Sequence, residues 1–548
     1  MPIKSDGPLD ILIVDDFEGF RFALMRMLDS LGAAQIDTAN TGESAIRMCR
    51  SRNYKAIIAD YNLGAGKTGL QVLEALRFHK ILHHQQAFML VSAENTKNVV
   101  LAAADVEPDA YLTKPVTAKS LQQRLSKILQ QRFLLSPLYQ ALESEDSSAV
   151  IEFCKEHIRK KGQYSPICQK MLGEALINAG DLDEAHHLYQ SVLAQRELDW
   201  AILGLSKVNM AKGEGDIAEK KIGDFLQVNP FFMRGYDFLS NLYESQEQFL
   251  KQQEVLQKAV QISPLALLRQ QKLLEVASDN HDYLVAAQTG KRVVRLAQNS
   301  VYSDLNQFVL YSQNAVKYAQ QVTESSEDFC EDSQKYLMNK IGQLKIDNLQ
   351  HATTNCVLAQ LNSAQNKMTE ANNLVQESEM LIATVAEEDV SLDFELEYVR
   401  ALKATSEKQK ATEKLNFLVK KYAKDDDALA KIDDLLDDPV SKKNTRYIAE
   451  INRRGIEAYQ AKEYPTAIQQ FLQARRLSPN HIGVNLNLIQ VMVEDVKHHG
   501  VRQEYVEDIE KSLSKVRTRI SKSDAQFDRL RALENEIHQL RLFDKKPV

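Results

Sequence analysis

The sequence predicts two fold classes in tandem: a doubly wound α/β domain with a five-stranded parallel sheet, then an all-α solenoid. Three observations carry this. Short apolar runs alternate with helix-period segments up to about residue 132 and then stop. Gly (20) and Pro (12) are scarce in 548 residues, which favours long helices over turn-rich β structure. Pro230 and Pro264 stand 34 residues apart, each closing a block of two amphipathic helical segments.

Ile11 to Val14 is a continuous apolar run ending in Asp15-Asp16, which reads as a buried strand with two acids at its carboxyl end. Phe17, Phe20, Leu24, Met27, Leu28 and Leu31 then recur at helical spacing before Gly32. The alternation continues through a strand near Ile36, a helix from Glu43 to Arg50, a strand from Ala56 to Ala59 ending in Asp60, and a helix from Leu70 to Phe78. A strand from Phe88 to Val91, a helix from Thr96 to Ala104, a strand from Ala110 to Thr113 and a helix from Leu121 to Gln130 complete it. In such a sheet ligands bind beyond the carboxyl ends of the strands. Asp15, Asp16, Asp60, Ser92 and Lys114 all fall there. Carboxylates gathered on one rim repel one another unless a divalent cation sits among them, and Mg²⁺ prefers such oxygen ligands while keeping several waters.

The segments ILIVDD, IIADYN, LVSAE and YLTKP, in this order and spacing, resemble the motifs of CheY-like response-regulator receiver domains over residues 9 to about 131. The resemblance implies that Asp60 is the phosphoacceptor and that Asp15, Asp16 and Asp60, with the backbone carbonyl of Asn62, hold Mg²⁺. It implies that Ser92 supplies the hydroxyl that follows the phosphoryl group, Lys114 the neutralising cation and Tyr111 the aromatic that turns with the state. The implied partner is a histidine kinase or a phosphotransfer protein. The receiver takes part only in its own phosphoryl transfer and dephosphorylation, so no enzyme acting on a separate substrate is expected. Two features depart from the commonest receiver or tune it. The loop Gly64-Ala65-Gly66-Lys67-Thr68-Gly69 is one residue longer than usual and lacks the usual proline. Asn62 and Glu94 stand where the family sets phosphoryl lifetime, and the same pair in chemotaxis-type receivers implies a transient mark.

Beyond Phe133-Leu134-Leu135-Ser136-Pro137 the strands end. Gly235 to Pro264 carries Tyr236, Leu239, Tyr243, Phe249, Leu256 and Ala259 at helix-facing intervals. Gly173, Gly180, Leu182, Ala185 and Tyr189 repeat that framework, as do Gly455, Tyr459, Tyr464, Ala467, Phe471, Ala474 and Pro479. These blocks resemble tetratricopeptide repeats, strongly near 167 to 198, 233 to 266 and 448 to 481, and partially at 200 to 232 and 267 to 298. Residues 299 to 447, almost without Gly or Pro, read as long helices with a worn register. The expected organisation is a receiver over 1 to 132, a solenoid over 133 to 500 and a helical cap over 501 to 548, with Tyr505 to Leu542 a polar helix covering the last repeat.

Charge and motifs exclude several functions. The formal net charge of −7 divides as +2 over residues 1 to 132, −13 over 133 to 445 and +4 over 446 to 548, so the acidic middle repels nucleic acid. No apolar run is long enough to cross a bilayer and the start MPIKSDGPLD has no leader pattern, so a cytoplasmic protein without membrane attachment is expected. Cys49, Cys154, Cys168, Cys330 and Cys356 form no CxxC pair, as expected of idle thiols in a reducing compartment. The pairs His83-His84 and His186-His187 lack the i, i+4 spacing of a helical metal site. His281-Asp282 falls at an interhelical turn, which argues against a phosphohydrolase dyad. The acids Asp425 to Asp427, Asp433, Asp434, Asp437 and Asp438 lack a calcium-loop pattern and read as a solvated face.

Together these readings describe a phosphorylation-controlled interaction protein of a two-component pathway, with an unidentified protein target on the repeat surface. The layout is similar to that of VieB-type regulators. The helix ending near Phe133 is expected to dock on the first repeat. The alternative is a phosphate sink or kinase-binding modulator whose repeats are a constitutive scaffold.

Overall fold

The computed structural model describes residues 9–94, 96–321, 327–436, 438–500, 502–521, 524–540 and 542. It begins with β1 (Asp10–Val14), α1 (Glu18–Asp29), β2 (Gln35–Ala39), α2 (Gly42–Ser51), β3 (Ala56–Asp60) and α3 (Gly69–Phe78). There follow β4 (Ala87–Ser92), α4 (Lys97–Val106), β5 (Ala110–Thr113) and α5 (Ala118–Leu134). All strands are parallel in the order β2-β1-β3-β4-β5. Period-two alternation explains the layers. Leu12, Val14, Ile57, Ala59, Phe88 and Leu90 pack on α2, α3 and α4. Ile11, Ile13, Ile58, Met89 and Val91 pack on α1 and α5. Thr41, Thr68 and Thr117 cap α2, α3 and α5, each in a reciprocal box with Ser44, Gln71 or Ser120. The order in which strands are added reverses between β1 and β3, which places the switch-point crevice at Asp15 and Asp60.

After α5 every regular element among the described residues is helical. Helix pairs pack on their neighbours and on the next-but-one helix, which is the contact pattern of stacked hairpins. The turn residue with left-handed backbone recurs at Gly180, Gly213, Glu247 and His281, in steps of 33, 34 and 34 residues. Helices end at Val228, Ile262 and Leu477, two residues before Pro230, Pro264 and Pro479. Glycines admit close approach of paired helices: a Cβ on Gly173 or Gly204 lies within 2.4 Å of the buried Tyr189 ring, and one on Gly455 within 2.7 Å of Phe471. Farther on the left-handed residues fall at Asn299, Asn366, Ser406 and Lys462, so the period fades as the sequence suggests.

Several boundaries differ from the sequence reading. The fifth receiver helix runs through residue 132 to Leu134 because its apolar face continues through Ile128 and Leu129. The chain forms two compact units, Met1–Gly342 and Gln343–Val548, so the stretch read as one solenoid is divided. The expected single helix from Tyr505 to Leu542 is two, Gln503–Arg519 and Phe527–Gln539, whose Ile509, Leu513, Leu530 and Ile537 join one core with the helix Ile482–His499. The acidic run is a solvated face only in part: Asp425, Asp427, Asp434 and Asp438 are exposed, but Asp433 and Asp426 have structural partners. Asp433 is buried and accepts from the backbone N–H of Val440 at 2.7 Å and from Ser441, while Asp426 accepts from the N–H groups of Lys442 and Lys443 at 2.7 and 2.9 Å. These carboxylates hold the start of the next helix. Asp437 lies outside the described residues. Among the described residues no helix is long and apolar enough to cross a membrane.

Candidate functional site

The site lies where β1, β3 and β5 end. Lys114, which precedes Pro115 across a cis peptide bond, donates from Nζ to Asp15 Oδ2 at 2.9 Å and to Asp60 Oδ2 at 2.8 Å. Asp15 is 1% exposed and Asp60 8%. A carboxylate oxygen from each of Asp15, Asp16 and Asp60 lies within 4.8 Å of the others, the one such grouping of three or more His, Cys, Asp or Glu among the described residues. Burial pushes the Asp60 carboxyl above its ordinary range, opposed by the Lys114 ammonium. Burial alone lowers the Lys114 value, but the hydrogen bonds to Asp60 and Asp15 outweigh it and the net direction is upward. One ammonium therefore faces three acids, and the excess negative charge suits a hard divalent cation. Asp15, Asp16 and Asp60 are the side chains that would hold it.

The neighbours are arranged by sheet register. Asp60 pairs with Val91, and Ser92, buried at the end of β4, pairs with Thr113 next to Lys114. Ser92 Oγ accepts from the Glu94 N–H at 2.9 Å, and the Tyr111 hydroxyl donates to the Glu94 carbonyl. The hydroxyl, aromatic and loop positions are thus joined. Glu94 and Asn62 are exposed on the rim, and Asn62 turns its Oδ1 onto the Gly64 N–H at 3.1 Å.

Some contributors escaped the sequence reading. Phe20 lies under Lys114, its ring centroid 4.1 Å from Nζ, and Arg21 donates to the Asp15 carbonyl at 2.7 Å. Phe20 registers in the sequence only as part of an apolar helix face. Gly69 opens α3 against the end of β3, where a Cβ would stand 2.1 Å from the Asp60 carbonyl oxygen. The long loop explains its other glycines, since Gly64 and Gly66 have φ of +72° and +112°. The histidines are elsewhere: His83 Nδ1 meets Glu143 at 2.7 Å, and His186 and His187 have ring centroids 6.2 Å apart. His281 is a left-handed turn residue bonded to the Tyr283 hydroxyl, and Asp282 caps the next helix through the Val285 N–H. All five cysteines are buried and unbridged.

Comparison with known proteins agrees with this geometry. The model of the response regulator receiver domain matches residues 11–126. Chemotaxis protein CheY of Pseudomonas aeruginosa is 34% identical over 122 residues, covering 22% of this chain and 97% of that protein. Chemotaxis protein CheY-3 of Vibrio cholerae is 30% identical over 122 residues, covering 22% and 92%. The solved structure of Vibrio cholerae chemotaxis protein CheY4 is 22% identical over 22% of this chain and 100% of that one, with a TM-score of 0.21.

Proposed function

Because the chain belongs, through residues 11–126, to the response-regulator receiver family, we propose that Asp60 accepts a phosphoryl group from a histidine kinase or phosphotransfer protein and that this mark controls protein binding by the helical array. The observation that carries the reading is the Lys114 ammonium held between the carboxylates of Asp15 and Asp60, with Asp16 alongside. An Asp60 oxygen attacks the phosphorus of the donor phosphohistidine. A P–O bond forms as the P–N bond breaks, and the electron pair returns to the donor imidazole, which takes a proton from water. Lys114 offsets the charge that gathers on the phosphoryl oxygens. Bound Mg²⁺ supplies further neutralisation of those oxygens. Ser92 donates its hydroxyl to one of them and draws the 93–94 backbone with it. The chain acts on no separate substrate.

The helical array is read as tetratricopeptide-like. Its support is the left-handed turn every 33 or 34 residues and the glycine–aromatic seats at Gly173 and Gly455. Repeats of this kind hold extended or helical segments of other proteins. The test is phosphorylation of the purified chain by acetyl phosphate with Mg²⁺, followed on a phosphate-affinity gel. A shifted band in wild type and none in Asp60→Ala is expected; an equal shift in both refutes the site. Captures from lysate with and without beryllofluoride then separate switch from sink, because a phosphate sink with constitutive repeats binds the same proteins in both conditions.

A further inference from the structure

Within the first unit the receiver does not dock through α5 alone. The sequence pointed to the junction at Phe133, and there Gln131 does donate to the Tyr139 hydroxyl at 2.8 Å. A second contact, invisible in the sequence, joins α3, α4 and the long β3–α3 loop to the helices Met233–Ser245 and Leu267–Asp279 and to the turn at residues 298–302. Its centre is Arg269, whose side chain is 6% exposed. The guanidinium forks onto Asp237 of its own helical region at 2.7 and 2.9 Å and onto Asp105 of α4 at 3.2 Å twice. Ser263 adds a hydrogen bond to Asp105 at 2.9 Å, and Arg234 pairs with Glu107 just past α4. On the loop side the Asn299 amide donates to the Gly66 carbonyl at 3.0 Å, and Lys67 donates back to the Asn299 carbonyl. Gln71 reaches the Gln298 carbonyl at 3.2 Å.

Both grips attach to parts that must respond to the site. Gly64, two residues before Gly66, lies where a Cβ would be 3.2 Å from Asp16 Oδ2, so the loop held by Asn299 forms one wall of the acidic cradle. α4 begins at Lys97, just beyond the 93–94 backbone tied to Ser92 and Tyr111. Arg77 of α3 donates to the Glu107 carbonyl at 2.8 Å, so α3 and the end of α4 are joined. The contact joins polar pairs to a smaller apolar part. It is a ring of polar pairs around a cleft of about 1000 Å³ lined by Glu74, Arg77, Asp105, Arg269 and Tyr302 among others. Leu265 and Val301 pack on the receiver core beside it, Tyr302 meets Phe78 edge-on, and Arg269 keeps Asp237 when Asp105 leaves.

We propose that the Asp105–Arg269 and Gly66/Lys67–Asn299 contacts form an intramolecular latch that holds the receiver in its unphosphorylated form, so that charging Asp60 and releasing the helical array are one equilibrium. The latch names the internal contact through which the function proposed above operates, and it rests on that reading. In the latched arrangement Lys114 satisfies Asp60 directly. A phosphoryl group there competes for Lys114 and for Ser92, shifts the start of α4 and strains both grips. By reciprocity, loosening the grips favours the charged receiver by the same factor.

The experiment is titration of the full chain with beryllofluoride at saturating Mg²⁺, read by calorimetry, for wild type and for Asp105→Asn combined with Asn299→Ala. The double variant is expected to bind beryllofluoride about 5-fold or more tightly, at the low end of ordinary allosteric coupling. Hydrogen exchange of the wild-type α3–α4 segment is expected to accelerate on beryllofluoride binding, a readout that needs no variant to fold. Equal affinity in the two chains together with unchanged exchange overturns the latch while leaving phosphorylation intact. Absence of binding to wild type overturns the phosphorylation reading, and the latch with it.

Discussion

The receiver rim and the helical array handle buried charge in opposite ways. At the rim Asp15 and Asp60 share one ammonium with Asp16 close by, and the sum is left negative. In the array three buried acids are matched close by: Glu397 with Arg400, Glu395 with Lys414, and Asp433 with the N–H groups and hydroxyl at the start of its neighbouring helix. A locally matched charge fixes geometry and asks for nothing more. An unmatched cluster invites a cation or a phosphoryl group, and its balance changes when one arrives. On the proposed function, the difference separates the part that takes the phosphoryl group from the part that binds a protein.

Lys114→Ala breaks that comparison most directly. It leaves Asp15 and Asp60 facing each other, and a loss of about 3 kcal/mol is expected in metal-free buffer. Most of it should return when Mg²⁺ occupies the cradle. Thermal melts in chelator and in Mg²⁺ check this, and equal losses in both buffers count against a cation site.

The rim was legible in the sequence because four of the five strands end on or beside a candidate site residue, so order along the chain maps directly onto position in the sheet. Asp15, Asp60 and Lys114 meet as read. The helical hairpins were legible where glycine and proline punctuate them, as at Gly173, Pro230 and Pro264. Two things were not. Asp433 looks like any solvated acid until the fold brings the helix start at Ser441 to it. Asp105 and Arg269, 164 residues apart, carry no local signal that they meet. Pairings set by tertiary structure leave no trace in periodicity.

Glycine sharpens the comparison next. In Gly69→Ala the new methyl meets a carbonyl oxygen at the end of β3, which cannot yield without moving the strand that carries Asp60. In Gly173→Ala it meets the far end of the Tyr189 side chain, which is buried against Gly204 as well but is not backbone. Expected losses are about 3 kcal/mol for the first and about 1–2 kcal/mol for the second. Only Gly69→Ala should also slow acetyl phosphate labelling.

Glu74 supplies a smaller, pH-dependent effect. Burial beside the cleft pushes its carboxyl up to about 7, with Lys67 opposing. The ordinary value is 4.5, so between 4.5 and about 7 the folded chain binds this proton more tightly than the unfolded chain. Its contribution is therefore fully present below 4.5 and declines as pH rises through about 7. Arg77, Asp105, Arg269 and Lys272 line the same cleft, so the comparison needs a variant that changes Glu74 alone. Between pH 5.5 and 8 wild type should lose about 1 kcal/mol more than Glu74→Gln. Parallel pH profiles for the two chains contradict the assignment.

The smallest effect is expected at His281, and it bears on whether His281 and Asp282 act as a turn and a cap. With φ of +56° His281 occupies a backbone region that glycine enters freely, so His281→Gly relieves strain while losing the bond to Tyr283. The net change should stay within about 0.5 kcal/mol. Asp282 caps the following helix and also accepts from Gln253 at 2.7 Å, so Asp282→Ala should cost about 1–2 kcal/mol. A catalytic dyad needs both side chains equally. A turn and a cap predict this unequal pair of losses, because glycine fills the turn at 281 as it does at Gly180 and Gly213, whereas nothing replaces the carboxylate at 282.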